Sequence, residues 1–141
     1  MKTIRFITIS ILLMMLYFSS LNAQWTQTTG PTGGRVFCSA SSGSNIFAGT
    51  WVGVYRSTNN GTTWTSVNTG LTTTVIRSLL ISGSNIFAGT QGGGVFLSTN
   101  NGASWAPGTS GIISPFVYAL AVAGTNLYAG TYGNCQRYFL R

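Results

Sequence analysis

The side chains that enzymes most often use for acid–base chemistry are missing from this chain of 141 residues, which contains no Asp, Glu or His. Without them the chain cannot assemble paired carboxylates or a histidine-activated serine or cysteine. Hard cations and zinc would also lack clustered ligands. The tyrosines after residue 23 have no base to activate them: Tyr55, Tyr118, Tyr128, Tyr132 and Tyr138. We therefore expect no catalytic residue, no metal site and no cofactor.

The cationic side chains are nearly all arginine, and the formal net charge is +7. Lys2 and Arg5 belong to the first few residues, and the other arginines are scattered: Arg35, Arg56, Arg77, Arg137 and Arg141. The basic balance thus reflects missing acids, and no Lys/Arg cluster of the kind that grips nucleic acid is formed. We expect no nucleic-acid binding, while attraction to anionic cell-surface polymers remains open.

The first 23 residues have the three parts of a secretory signal. Lys2 and Arg5 precede an apolar run from Ile7 to Phe18, and a small-residue segment ends at Ala23. The apolar run is shorter than the roughly 20 residues that cross a bilayer. These features predict cleavage near Ala23, no retained membrane anchor, and a secreted or extracytoplasmic product.

Cys38 and Cys135 are the two cysteines. An exported chain can form a disulfide, but two small apolar residues on separate strands explain the pair equally well. The disulfide status therefore stays open.

The dominant pattern is an internal repeat of about forty residues. A first block occupies 44–50, 84–90 and 125–131, and it reads Ser-Asn-Ile-Phe-Ala-Gly-Thr in its first two copies. A second block follows at 57–64 and 98–105. Two blocks in the same order exclude chance similarity.

Each unit predicts four short strands, near 35–41, 45–50, 53–58 and 63–68 in the first. Asn60-Gly61 and Asn101-Gly102 predict tight hairpins. The second strands are apolar on both faces, so both faces must be covered. Sheets stacked around an axis provide this cover. We predict an all-β fold, a β-propeller of four-stranded antiparallel blades in an incomplete ring.

The second block resembles the Asp-box (BNR) repeat of β-propellers, whose consensus is Ser/Thr-x-Asp-x-Gly-x-Ser/Thr-Trp. Both copies match except that Asn59 and Asn100 replace the aspartate. The resemblance implies a structural hairpin on the outer part of each blade, remote from any ligand. The residues that would form these turns are Ser57, Asn59, Gly61, Trp64, Ser98, Asn100, Gly102 and Trp105.

The resemblance is weak for function, because similar families include sialidases, sortilin-type receptors, photosystem-assembly propellers and many exported bacterial repeat proteins. Sialidases resemble one another in an acidic helper and three arginines around the substrate carboxylate. This chain lacks the acidic residue and the Arg-Ile-Pro signature of sialidases. The resemblance therefore gives no support to an active site.

The repeat divides the chain into a signal peptide (1–23) and a partial propeller (24–141). The latter comprises a stray fourth strand (24–30), blade 1 (31–70), blade 2 (71–111) and an incomplete blade 3 (112–141). Propellers use roughly four to eight blades and often close when one terminus completes the other's blade. The sequence indicates a truncated or frame-shifted version of a longer protein. The alternative is that several short chains assemble into a ring.

Residues that vary between the repeats are candidates for binding. The loop after each second strand and the loop that leads into the next blade should lie on the same face of the propeller. On the innermost strands, the corresponding positions 37, 77 and 118 carry different residues in the three repeats. Exposed aromatic residues beside arginine can stack on sugars or bind anions, and the alternative is packing between blades or in the channel. The candidates are Arg35, Trp51, Arg77, Gln91, Tyr118 and Tyr132.

Three functions follow from these observations. The first is a non-catalytic exported propeller module or fragment that binds protein or a cell-surface glycan. The second is a fragment of a BNR-type glycosidase whose acidic residues lie in missing blades. The third is a self-associating adhesive β-repeat protein, since open blade edges can pair with other chains.

Overall fold

The computed structural model describes residues 30–32, 34–108, 114–132 and 134–139, with the backbone alone for 134–139. The predicted signal peptide lies outside these residues, as does all of the predicted stray strand except Gly30. Strands and their connections account for the described part, in which no helix forms. In particular, none of its segments is a helix long and apolar enough to cross a membrane.

The described strands form three antiparallel sheets. The first sheet contains β1 (Val36–Ser42), β2 (Asn45–Thr50), β3 (Gly53–Ser57) and β4 (Thr65–Ser66). The second contains β5 (Ile76–Ser82), β6 (Asn85–Thr90), β7 (Val95–Ser98) and β8 (Ala106–Pro107). The third contains β9 (Val117–Ala123), β10 (Asn126–Thr131) and β11 (Asn134–Phe139).

Every sheet is a meander in which consecutive strands pair, and the first strands β1, β5 and β9 contact their neighbours in turn. The sheets therefore stack as blades around a side lined by their first strands, and they stay open rather than closing into a ring. The predicted all-β fold of four-stranded propeller blades in an incomplete ring is confirmed.

The core consists of two apolar layers, one in each gap between sheets. Between sheets 1 and 2 the layer includes Phe47, Val54, Ile76, Ile86 and Phe96. The layer between sheets 2 and 3 consists of Phe87, Val95, Val117, Leu127 and Ala129. Consecutive residues of β6 thus point into different layers, which explains why the repeat Ile-Phe-Ala is apolar on both faces.

The glycine near the end of each second strand allows the next blade to approach. A Cβ built on Gly49 would lie 2.5 Å from the sulfur of Cys38 and 2.7 Å from Cγ2 of Ile76. Gly89 is crowded in the same way by Ser78 and by Cγ1 of Val117, 2.8 Å away. The repeated Ala-Gly-Thr sequence is therefore a packing requirement of the joint between blades.

The two turns that the resemblance singled out, around Asn59 and Asn100, are built alike, and the first shows the local role of the Asn side chain. The hydroxyl of Ser57 donates to Oδ1 of Asn59 (3.0 Å) and accepts from the backbone nitrogen of Gly61 (2.9 Å). Oδ1 of Asn59 also accepts from the backbone nitrogen of Thr63 (2.9 Å). Asn60 has a φ of 55°, which hairpin turns of this kind require. The amide oxygen thus performs the local role expected of the carboxylate.

Cys38 is a free thiol at the joint between blades 1 and 2. Its sulfur donates to the carbonyl oxygen of Ile76 over 4.0 Å. Burial raises the pKa of this thiol from 9.0 to about 11, against a smaller opposing effect of the hydrogen bond with the backbone of Gly49. The side chain of Cys135 lies outside the described residues.

Candidate binding face

Each innermost strand contains a β-bulge at the same position of the repeat. In β1 the pairing skips from Val36 to Cys38, so that Phe37 has no partner in the ladder. Arg77 is skipped in the same way in β5, and Tyr118 in β9. A bulge bends the strand and redirects the side chain of the extra residue. Phe37, Arg77 and Tyr118, which occupy one position of the repeat, are therefore the residues that the bulges release from the ladder.

The released side chains meet around the guanidinium of Arg77. Its central carbon lies 4.2 Å from the ring centroid of Phe37 and 5.9 Å from that of Tyr118. It also lies 5.9 Å from the ring of Trp51, which itself tilts against Phe37 with centroids 5.9 Å apart. Since Phe37 and Tyr118 belong to the flanking sheets, Arg77 joins all three blades. Each such cation–π contact contributes roughly 0.5–2 kcal/mol, depending on exposure.

A hydrogen-bonded amide fixes the position of Arg77. Its Nε donates to Oε1 of Gln91 over 2.8 Å, and Nη2 donates to the same oxygen. Gln91 follows β6, and its backbone nitrogen donates to the carbonyl of Val75 while a single bridge connects it to Phe116 of the next blade. Gln91 and Arg77 share one sheet, so the sheet itself holds the cation among the rings of its neighbours.

The connections after the second strands repeat one backbone contact. The backbone nitrogen of Trp51 donates to the carbonyl of Arg35, and that of Tyr132 donates to the carbonyl of Phe116, each over 3.2 Å. Every repeat therefore presents three variable positions at this end of the blades, which we call the binding face. Its members are Arg35, Phe37 and Trp51 from blade 1, Val75, Arg77 and Gln91 from blade 2, and Phe116, Tyr118 and Tyr132 from blade 3.

Much of this apolar surface is open to solvent. Trp51, Phe116 and Tyr118 are each at least 40 % exposed, and Tyr132 is 80 % exposed. Arg35, which is also exposed, places its guanidinium carbon 5.4 Å from the ring centroid of Phe37. Contiguous exposed apolar patches, unlike single exposed residues, are typical of interaction sites.

The sequence offers no acidic side chain to neutralise the charge of the binding face. Arg35 and Arg77 both contribute cations, and the whole sequence contains no Asp or Glu to pair with them. Arg77 contacts three aromatic rings and a neutral amide, which hold the guanidinium in place but do not neutralise its charge. An anion from outside would find two cations with fixed positions.

The structure brings most of the predicted binding residues to one face. Five of them lie at the binding face in contact with the same cluster: Arg35, Trp51, Arg77, Gln91 and Tyr118. Tyr132 lies at the corresponding loop but projects into solvent. Among the described residues, no group of three or more His, Cys, Asp or Glu could hold a metal.

Three residues of the binding face were not among the sequence candidates. Phe37 is the aromatic residue nearest to Arg77, and it aligns with Arg77 and Tyr118 in the repeat. Val75 and Phe116 align with Arg35 as the residues two before the bulge. Alignment of the repeats at the bulge positions would have identified all three.

Comparison with known proteins gives similarity of fold without a family. No family model matches the chain, and no curated protein matches its sequence. The computationally designed Ika4 protein is similar with a TM-score of 0.60 and 12 % identity, covering 85 % of this chain and 74 % of that one. The designed Ika8 protein has a TM-score of 0.55 and 12 % identity, covering 74 % of this chain and 33 % of that one.

A natural enzyme is also similar in part. The GH74 enzyme of Niastella koreensis has a TM-score of 0.49 and 25 % identity, covering 62 % of this chain. The matched part is 15 % of that enzyme. This chain thus spans about a third of Ika8 and a smaller share of the GH74 enzyme.

Proposed function

We propose that this chain is an exported, non-catalytic propeller module of the Asp-box type that binds an anionic glycan at the binding face. The observation that carries the proposal is the convergence of Phe37 and Tyr118, the bulge residues of the two flanking blades, on Arg77, the bulge residue of the middle blade, in a sequence without Asp or Glu. The assignment to the Asp-box type rests on the Ser-to-Trp blocks and on the hydrogen bonds of Asn59 and Asn100 within their turns.

Sugar recognition explains why the cations and the rings lie together. Aromatic faces stack on the apolar side of a sugar ring, and the guanidinium of Arg77 offers charged hydrogen bonds to a carboxylate or sulfate. Trp51 and Tyr118 are exposed on either side of Arg77. A uronic acid or a sulfated sugar could therefore contact a ring and the cation at once.

The proposal of export rests on the first 23 residues, whose pattern is that of a cleaved secretory signal. The proposal that the module is non-catalytic rests on composition, because a chain without Asp, Glu or His has no ordinary general acid or base. Its contribution would be to position a partner on a carbohydrate surface.

Isothermal titration calorimetry with three polysaccharides tests the proposal. Polygalacturonate offers carboxylates, heparin offers sulfates, and a β-glucan serves as the neutral control. We expect binding to at least one anionic polymer, weaker binding at 500 mM than at 50 mM salt because screening weakens ionic contacts, and none to the neutral glucan. Incubation should release no reducing ends. Equal affinity for the neutral glucan, or hydrolysis of any of the three, would contradict the proposal.

Substitutions locate the site. Arg77→Gln removes a charged hydrogen-bond donor worth about 1.5–3 kcal/mol, so affinity should fall roughly 10- to 100-fold. Trp51→Ala should weaken binding by about tenfold through lost stacking. Arg56→Gln is the matched control, because Arg56 lies in β3 and donates to the carbonyl of Asn101 on the outer turn of blade 2. If Arg56→Gln weakened binding as much as Arg77→Gln, binding would depend on overall charge and the assigned face would be wrong.

A further inference from the structure

The joints between blades repeat one contact. At the first joint, Gly49 near the end of β2 receives Ile76, the first residue of the next innermost strand. At the second joint, Gly89 receives Val117, which stands at the same position of β9. Ile76 and Val117 are completely buried. A branched apolar residue in a hollow above glycine is thus the unit by which these blades join.

Among the described residues, sheet 3 and sheet 1 each carry one half of this joint without the other. Gly130 is the third glycine of the series, and the three atoms nearest to a Cβ built there all belong to Ala119 of its own sheet. Val36 is the third member of the branched series, since it precedes the bulge of β1 as Ile76 precedes that of β5. Val36 is 46 % exposed, whereas Ile76 is 0 % exposed.

We propose that two copies of this chain associate head to tail, with Val36 of each copy in the hollow above Gly130 of the other. Both halves of the joint are present on the same chain, and the two internal joints show that the halves fit. The interface continues the stacking that already holds the three sheets together.

The surfaces around the two halves are compatible with close approach. Leu120 and Val122 point into the core between sheets 2 and 3, so Ala119 and Ala121 lie on the opposite, open face of sheet 3 and are exposed. On sheet 1, Cys38 packs against the core, and alternation places Ser39 and Ser41 on the face turned away. Small side chains on both faces leave room for the sheets to meet, although Ser39 and Ser41 align with Leu79 and Ile81, which pack at the first joint. The contact of Val36 with the hollow above Gly130 would therefore provide most of the apolar burial.

Counting blades predicts the number of copies. The described residues of one copy supply three sheets, so that those of two copies supply six and those of three supply nine. Propeller rings contain roughly four to eight blades. A head-to-tail contact forms a ring when its rotation closes and a filament when it does not. Two copies fit the known range and three do not, which favours a closed dimer with two identical joints.

Association would also extend the binding face. Arg77 already lies over Phe37 of the blade before it. A second copy at Gly130 would bring its own Arg35 and Phe37 beside Tyr118 and Tyr132 of the first by the same geometry. The aromatic and cationic surface would then continue around the ring.

Sedimentation velocity of the full chain, expressed for export and checked by mass spectrometry, tests the proposal. We expect twice the monomer mass at micromolar concentration. Val36→Ser should raise the dissociation constant at least about tenfold, since burial of a valine side chain stabilises by roughly 1.5 kcal/mol or more. Gly130→Val, which fills the hollow, should have the same effect. Val52→Ser is the matched control, because Val52 is similarly exposed (43 %) but lies in the loop after β2.

A cross-link keeps the test decisive if a variant folds poorly. In a background of Cys38→Ser and Cys135→Ser, one copy carries Val36→Cys and the other Gly130→Cys. Cys38→Ser copies the second blade, where Ser78 occupies the corresponding position. Only the mixture should form a disulfide-linked dimer under oxidation. A monomeric wild-type chain, or association that Val36→Ser and Gly130→Val leave unchanged, would overturn the proposal.

Discussion

Substitution of the joint glycines by alanine should have opposite outcomes at equivalent positions of the repeat. In Gly49→Ala the new Cβ would lie 2.5 Å from the Cys38 sulfur and 2.7 Å from Cγ2 of Ile76, about 1 Å inside the usual contact distance. Overpacking of this kind costs about 1–3 kcal/mol. In Gly130→Ala the nearest atom, Cβ of Ala119, is 3.3 Å away, and alanine reduces the entropy of the unfolded chain. We expect no loss, or a gain of up to about 1 kcal/mol.

Urea unfolding followed by tryptophan fluorescence measures both effects, at concentrations where sedimentation shows a monomer, so that association does not contribute. Gly49→Ala should lower the free energy of unfolding by about 1–3 kcal/mol and the melting temperature by roughly 4 °C per kcal/mol. Equal losses in the two variants would show that the glycines serve the strand itself and not the joint. That result would refute the reasoning about close approach, because Gly49 and Gly130 share the strand position and differ in the neighbouring blade.

Three further predictions concern the turns, the thiol and the binding face. Asn59→Asp should change the free energy of unfolding by less than about 0.5 kcal/mol, because a carboxylate oxygen can accept the same hydrogen bonds. Ser57→Ala should lower it by about 1–3 kcal/mol, since the buried backbone nitrogen of Gly61 loses its acceptor. Similar losses for the two variants in urea unfolding would contradict this prediction. The pKa of Cys38 is higher in the folded than in the unfolded chain, so the neutral thiol makes its whole contribution to the free energy of unfolding below pH 9. That free energy should fall by roughly 1–2 kcal/mol between pH 9 and 11, allowing for partial exposure of the thiol. An equal decline in Cys38→Ser would assign it to other groups. Affinity for an anionic polymer should stay constant from about pH 5 to 8, since the chain has no Asp, Glu or His; a titration midpoint within that range in calorimetry would contradict it.

The repeat predicted the strands closely because the Gly, Asn and Ser residues that end each strand can be recognised from the local sequence. The predicted second strand at 45–50 coincides with β2, and the predicted third strand at 53–58 differs from β3 by one residue. The fourth strand was predicted at 63–68 but pairs only over Thr65–Ser66. The reason is that Thr63 is bound within the Asp-box-like turn by Oδ1 of Asn59. A hydrogen bond from a side chain thus shortens a strand that the residue pattern leaves longer.

The binding face could be predicted only in outline. Variation between repeats indicated Arg77 and Tyr118, because loss of repetition is visible in the sequence. The bulges were not visible, since the register of strand pairing depends on contacts between strands and not on residue types along one of them. The closeness of Phe37 to Arg77 follows from two such bulges in adjacent sheets, and for that reason required the structure.

The bulges have a consequence for how this surface could diverge. Residues 37, 77 and 118 lie outside the hydrogen-bonded ladder, so replacing one of them removes no contact on which strand pairing depends. By contrast, Gly49 and Gly89 and the buried Ile76 and Val117 leave little room for change. Substitutions can therefore alter the chemistry of the face one residue at a time while strand pairing and the joints between blades stay intact. Duplication of a blade would copy the scaffold together with one such residue, and each duplicate could then acquire a specificity of its own.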